Sequence, residues 1–265
     1  MKPIFATSQF AIFDDVLNAE DAERLREYIE NEEFVSVHAH GSNFVWRLED
    51  GSPRYRRKSY TMPALPLSEL LPREEMLAEA RKQTDFYPTK SAMDPLMEAI
   101  VARAREHKEL VGEEKKNWLG MIGKLYAYPA GSAISWHSDT AIYTGAYIYY
   151  AHPEWSIQWG GELLVADPES AKLLRDKTQE RRARGLTTRK NHFTAYEPEE
   201  EAIMKNGYGH YVMPKPNRLV ILAGSHPHMI TQVSPAAGNR PRLSLAGFFI
   251  TPQGLNSIVK GGLGS

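Results

Sequence analysis

The chain has 265 residues, with 42% hydrophobic and 25% charged side chains, and a net charge of −1 gives no global field for nucleic acid or an anionic membrane. It contains no cysteine, which excludes disulfides, thiolate metal sites, iron–sulfur clusters and thiol nucleophiles, so any metal must be held by His, Asp or Glu. No stretch approaches an apolar membrane span. The opening MKPIFATSQFAIFDDVL is broken by Ser8 and Gln9 and runs into Asp14 and Asp15, unlike a secretory leader, so a cytoplasmic protein is expected.

In chain order, LNAEDAERLREYIENEEF (17–34) predicts an amphipathic helix, with Leu17, Ala22, Leu25, Tyr28 and Ile29 recurring at roughly helical spacing between charges. Residues 38–62 read as turn and extended chain around EDGSPRYRRKSY. SELLPREEMLAEARK and SAMDPLMEAIVARAREHKELV carry further helical patterns, so residues 1–117 read as a mainly helical support. The pattern changes near residue 118. WLGMIGKLYAYPAGSAISWHSD, GAYIYYAH, GGELLVAD, NRLVILAG and RLSLAGFFIT are short β-branched or aromatic runs bounded by Gly, Pro and Asn, as in a β sandwich or barrel.

An insert at about 166–213 interrupts these strands. It begins with DPESAKLLRDKTQERRARG, a charged helix stopped by Gly185, and its length suggests a lid. The tail KGGLGS reads as flexible. The expectation is a single domain over 1–265, mainly β with helical N-terminal support (α+β), whose core spans 118–250.

The candidate chemistry lies in His137-Ser138-Asp139. With nine histidines and 33 acidic residues, about one His-x-Asp/Glu triplet is expected by chance, so the context must decide. On a strand, residues i and i+2 share a face, so His137 and Asp139 can present an imidazole and a carboxylate to one point. A histidine from a later strand would complete a two-His, one-carboxylate facial set with three open positions, the geometry of non-haem Fe(II) oxygenases. The strand at 219–222 runs into a turn carrying two candidates, His226 and His228. On the strand at 242–249, Arg242 and Ser244 share a face opposite Leu243 and Leu245.

With these elements the chain resembles the Fe(II)/2-oxoglutarate-dependent oxygenases in their prolyl-4-hydroxylase-like branch. YPAGSAISWHSD resembles the family's Tyr, Gly and His-x-Asp segment, WGGELLV its Gly-Gly-Glu-Leu strand, LVILAGSHPHMITQV its distal histidine segment, and GNRPRLSL its Gly…Arg-x-Ser segment. The resemblance covers roughly 118–250 and implies a double-stranded β-helix (jelly-roll, cupin-like) core. It further implies that His137, Asp139 and His228 bind Fe(II), with His228 and Ile230 matching the distal segment. Arg242 would grip the far carboxylate of 2-oxoglutarate, assisted by Tyr128 and Ser244. O2 would complete the set of reactants, with succinate and CO2 as products. Halogenating relatives replace the metal carboxylate by a small residue; Asp139 is present, so hydroxylation or another halide-free oxidation is implied. Two departures stand out. The insert after Val165 separates His137 from His228 more widely than in compact members, and Arg240 lies beside Arg242, although Pro241 assigns Arg240 to the turn.

The remaining features read blandly. His210 in the insert could contact substrate but is expected to be an ordinary loop residue, and His38, His40, His107, His152 and His192 surface or structural. The basic run RDKTQERRARGLTTRK is expected to be a solvated helix face, offset by EPEEEA behind it. Most of the aromatic run (Trp136, Tyr143, Tyr147, Tyr149, Tyr150, Trp155, Trp159) is expected in the core, with one or two members lining the substrate pocket. The expected partner is a small-molecule substrate, a free amino acid or natural-product intermediate, with neither nucleic acid nor membrane. The competing expectations are a peptidyl (prolyl-type) hydroxylase and a non-catalytic metal-binding or sensing module.

Overall fold

The computed structural model describes residues 2–39, 46–139, 142–184, 197–224 and 226–254. It opens with two short strands, β1 (Phe5–Ala6) and β2 (Phe10–Phe13), followed by helix α1 (Ala19–Glu30). The Asn18 carboxamide oxygen accepts from the Asp21 backbone N–H and caps α1, and Ala22, Leu25 and Ile29 form its buried stripe. Next come β3 (Phe34–Ser36), a 3-10 turn at Leu48–Asp50, β4 (Arg54–Arg56) and β5 (Ser59–Pro63).

The helical pattern read across 68–82 splits into α2 (Leu67–Leu70) and α3 (Glu74–Gln83) at Pro72, which has no N–H to continue a helix. Strand β6 (Thr84–Phe86) precedes α4 (Met93–Glu106) and α5 (Lys108–Val111), one predicted helix divided at His107. Met93, Leu96, Met97, Ile100 and Ala104 give α4 a fully buried face, where a Leu96→Ala cavity would cost about 2–5 kcal/mol.

The second half alternates as its sequence predicts: β7 (Gly120–Tyr128), β8 (Ile134–His137), β9 (Tyr143–Tyr150) and β10 (Leu163–Ala166), then the insert, then β12 (Leu219–Ala223), β13 (His228–Ile230) and β14 (Arg242–Ile250). The insert holds α6 (Pro168–Ala183), α7 (Glu197–Asn206) and β11 (Gly209–Val212), which returns to pair with β10. Asp167 caps α6 by accepting from the Glu169 and Ser170 N–H groups, and Asn206 at the end of α7 donates to the same carboxylate at 3.2 Å. The predicted stop at Gly185, together with His40, His192 and the 260–265 tail, lies outside the described residues.

Two sheets result. The large one runs β1-β2-β12-β9-β14-β7-β4-β3, with β5 joined to β7 and β6 to β5; the small one runs β11-β10-β13-β8. They face each other as a double-stranded β-helix core. The described residues before 118 supply five helices and six strands that extend both ends of the large sheet; β4 and β5 fall in the stretch read as extended chain, whereas β1, β2, β3 and β6 were not expected. Strand alternation divides the large sheet's side chains. Met121, Leu125, Tyr147, Tyr149, Leu245 and Phe249 face the helices, whereas Ile12, Ala146, Ile148, Val220 and Leu222 pack toward Leu163 and Val165 of the small sheet. No helix among the described residues is long and apolar enough to cross a membrane.

Candidate metal and co-substrate site

Antiparallel pairing of β8 and β13 sets His137 directly opposite His228, with ring centroids 4.3 Å apart. Each imidazole binds the backbone carbonyl two residues back through Nδ1: His137 to Ser135 O and His228 to His226 O, both at 2.8 Å. An Nδ1–H that donates to a carbonyl puts the ring's lone pair on Nε2, the tautomer a metal requires. The Asp139 carboxylate lies 4.0 Å from His228 Nε2, and one ligating atom from each of His137, Asp139 and His228 lies within 4.8 Å of the others. No second group of this kind occurs among the described residues. Burial raises the Asp139 carboxyl above the ordinary range, with the His228 imidazole opposing it. Three nearly buried donors converging in this way can hold a divalent cation on one face and leave the opposite face open.

The strand carrying His137 is clamped by a residue that the sequence reading overlooked. Asp50, 1% exposed, accepts from the Ser135 N–H at 2.9 Å and the Ser135 hydroxyl at 2.5 Å, while its other oxygen accepts from the Arg47 N–H at 2.8 Å. Its backbone carbonyl also accepts from Ala133 N–H. The residue whose carbonyl orients His137 is therefore itself held by a buried carboxylate, a support that reaches the metal ligand through one residue.

Arg242 begins β14 and pairs with Tyr128 on β7; Ser244, two residues on, pairs with Tyr126 and with Tyr150 of β9. The Arg242 side chain is fully buried. Nε donates to Gly161 O at 2.9 Å and Nη1 to Ser244 Oγ at 3.4 Å, but Nη2 has no hydrogen-bond partner. The guanidinium carbon sits 4.8 Å from the centre of the Tyr150 ring and 5.1 Å from that of Tyr128. The Tyr150 hydroxyl, also buried, makes no close hydrogen bond, although the Arg242 guanidinium lies near enough to oppose the rise that burial imposes on its pKa. An unmatched buried donor costs about 1–3 kcal/mol, and a ligand carboxylate would supply the close acceptor that both groups lack. Gly161 belongs to the same cradle: at φ +74°, with a Cβ that would come within 2.8 Å of Arg242 Cδ, the position favours glycine.

Other predicted residues lie elsewhere. Arg240 is at the surface, paired with Glu154 at 2.7 Å and lying over Trp159. His226 is outside the triad, its Nδ1 3.4 Å from Ala223 O. His210 lies in strand β11, not a loop, with its ring against Phe10 and Phe5. His152 is a buried structural residue whose nitrogens face Pro214 O and Leu243 O; burial holds its pKa down to about 4. Of the aromatic run, Tyr147 and Tyr149 belong to the helix-side core, whereas Tyr150 faces Arg242. Tyr150 could have been separated from its neighbours by strand parity, since it is odd-placed relative to both.

Residues 123–250 match the 2OG-Fe(II) oxygenase superfamily. Over these residues the chain carries the core of that superfamily. It is a 2-oxoglutarate-dependent iron dioxygenase, with Fe(II) and 2-oxoglutarate as cofactor and co-substrate. Among solved structures, it is similar to a prolyl hydroxylase from Trichoplax adhaerens in complex with a hypoxia-inducible-factor oxygen degradation domain peptide fragment, at 12% identity and a TM-score of 0.54, covering 94% of this chain and 87% of that one. A Pseudomonas putida prolyl-4-hydroxylase aligns at 15% identity and a TM-score of 0.49, covering 92% of both chains. HygX from Streptomyces hygroscopicus, with nickel and 2-oxoglutarate bound, aligns at 15% identity and a TM-score of 0.46, over 94% of this chain and 85% of that one. At these identities the likeness is one of fold. No curated protein matches the chain.

Proposed function

We propose that this dioxygenase hydroxylates, or otherwise oxidises, an unactivated C–H bond of a small molecule such as a free amino acid or natural-product intermediate, releasing succinate and CO2. His137, Asp139 and His228 would hold Fe(II), and Arg242 Nη2 and the Tyr150 hydroxyl, beside Tyr128 and Ser244, would hold a carboxylate of 2-oxoglutarate. The iron, with 2-oxoglutarate and O2, supplies the oxidant. The protein's own work is positional. The two Nδ1–H···O=C bonds lock the imidazoles, Asp50 holds the strand beneath His137, and the aromatic walls exclude water from the reacting atoms. The donor set supports the cofactor roles, because Arg242 Nη2 and the Tyr150 hydroxyl are buried donors with no close acceptor, which a bound carboxylate would supply.

One observation carries the small-molecule reading. A cavity of about 650 Å³ lies beneath α2 and α3, lined by Ile122 and Ile250 on the same face of the large sheet as Tyr128 and Arg242. That volume falls in the range of small-ligand sites. The test is succinate formation from 2-oxoglutarate and O2, compared across free amino acids, other small acids and proline-containing peptides. Stimulation by small molecules is expected. Stimulation by peptides alone would transfer the enzyme to peptidyl hydroxylation, and metal binding with no 2-oxoglutarate consumption under any condition would indicate a sensing module.

A further inference from the structure

Strand β7 places Ile122, Lys124, Tyr126 and Tyr128 on one face, each step about 6.8 Å along the strand. Tyr128 stands opposite Arg242, at the 2-oxoglutarate end. Tyr126 lies close enough to Asp139 for that carboxylate to add to the effect of burial in raising its hydroxyl, as it does for Tyr143. Ile122, at the far end, lines the cavity. The row therefore reads co-substrate, metal, Lys124, cavity.

Lys124 is the charged member of this row. It is half-buried, its ammonium nitrogen lies 4.8 Å from the centre of the Tyr55 ring, and no ion pair joins it to a carboxylate among the described residues. Burial alone holds this ammonium below the usual lysine range. A lysine at the surface of a sheet ordinarily runs its head out to water; here the head rests on an aromatic ring inside the metal-facing side. Beyond it the cavity is apolar, with Leu71, Met76, Phe86, Ile122 and Ile250 in its wall. The charged residues that line it, Arg73, Glu75 and Glu79, are all exposed and mark its mouth.

We infer that the substrate is an amphiphilic anion, with its apolar part in the cavity beneath α2 and α3 and its carboxylate paired with Lys124, between that cavity and the metal. This rests on the reading of the metal and 2-oxoglutarate sites above. It also orients the reaction: the carboxylate end faces the iron, so the carbon oxidised lies within a few bonds of the carboxylate.

The experiment uses the full-length protein loaded with Mn(II) in place of iron and with 2-oxoglutarate, and reads paramagnetic broadening of proton NMR lines from two probes, octanoate and octan-1-ol. The expected result is that octanoate is broadened with an affinity about tenfold tighter than octan-1-ol, and that its C2 protons broaden more than its terminal methyl. Lys124→Met should reduce octanoate to the affinity of the alcohol, and Lys124→Arg should keep the preference. Ala80→Phe, which fills the cavity from α3, should weaken both probes. Broadening of 2-oxoglutarate itself is read in every sample; its absence from the wild type would overturn the underlying site reading. With 2-oxoglutarate broadened, any of three results would overturn the Lys124 assignment alone: equal or absent broadening of the two probes, an unchanged preference in Lys124→Met, or a methyl broadened more than C2.

Discussion

Strand β9 presents two kinds of tyrosine. Tyr147 and Tyr149 point toward the helices, where both hydroxyls are satisfied: Tyr147 donates to Ile122 O at 3.1 Å and Tyr149 to Asn217 Oδ1 at 3.0 Å. Tyr150 points the other way, against Arg242, and its buried hydroxyl makes no close hydrogen bond. Neighbouring residues of one strand thus meet opposite demands. The helix face is a closed core with its polar atoms matched, and the metal face keeps donors in reserve for molecules the protein does not itself supply. The same contrast runs along β14, where Leu245 and Phe249 fill the helix-side core while Arg242 and Ser244 stand at the proposed co-substrate site.

Substitutions on the two faces should separate binding from stability. The largest effect is expected from Asp139→Ala, which removes the anionic metal ligand: 2-oxoglutarate turnover, measured as succinate, should fall to background while the thermal midpoint holds or rises, because a buried carboxylate with a raised pKa is lost. Arg242→Ala should follow, with about a 100-fold loss in 2-oxoglutarate affinity by calorimetry, the scale of a charge-assisted bidentate contact. Asp50→Asn should lower metal affinity by about tenfold, read by Mn(II) titration, because the strand under His137 loses its clamp. The smallest and sharpest pair is Tyr150→Phe against Tyr147→Phe. Tyr150→Phe should weaken 2-oxoglutarate about fivefold with little change in unfolding free energy. Tyr147→Phe should cost about 1 kcal/mol of stability in urea denaturation and leave 2-oxoglutarate affinity unchanged. If the two tyrosines exchange these phenotypes, the division between the faces is wrong.

Local periodicity carried much of the core. Strands β7, β9 and β14 are long enough for a two-residue repeat to stand out, whereas Asp139 reaches the triad from two residues beyond the end of β8, where the strand expected at 137–139 has already stopped. The strands β1 to β6 are two to five residues long, too short for a period to register, and they exist because the large sheet offers them edges. Asp50 was hidden for a different reason: it acts on Ser135, 85 residues away, and only the folded chain joins them. Tyr150 lay in view within an aromatic run, where strand parity sets it opposite Tyr147 and Tyr149, but its neighbour Arg242 is brought to it only by the β9–β14 pairing. That Arg242 is buried and Arg240 exposed was legible because Pro241 marks the turn between them.

The central claim is that the space between the two sheets holds iron and 2-oxoglutarate together. The most direct test adds Fe(II) and then 2-oxoglutarate to the apo protein without oxygen, following the visible metal-to-ligand charge-transfer band in wild type, Arg242→Ala and Tyr150→Phe. A saturable band in wild type is expected, requiring about 100-fold more 2-oxoglutarate in Arg242→Ala and about fivefold more in Tyr150→Phe. Bound iron with no band in the wild type would mean that 2-oxoglutarate does not chelate it, and would contradict the account.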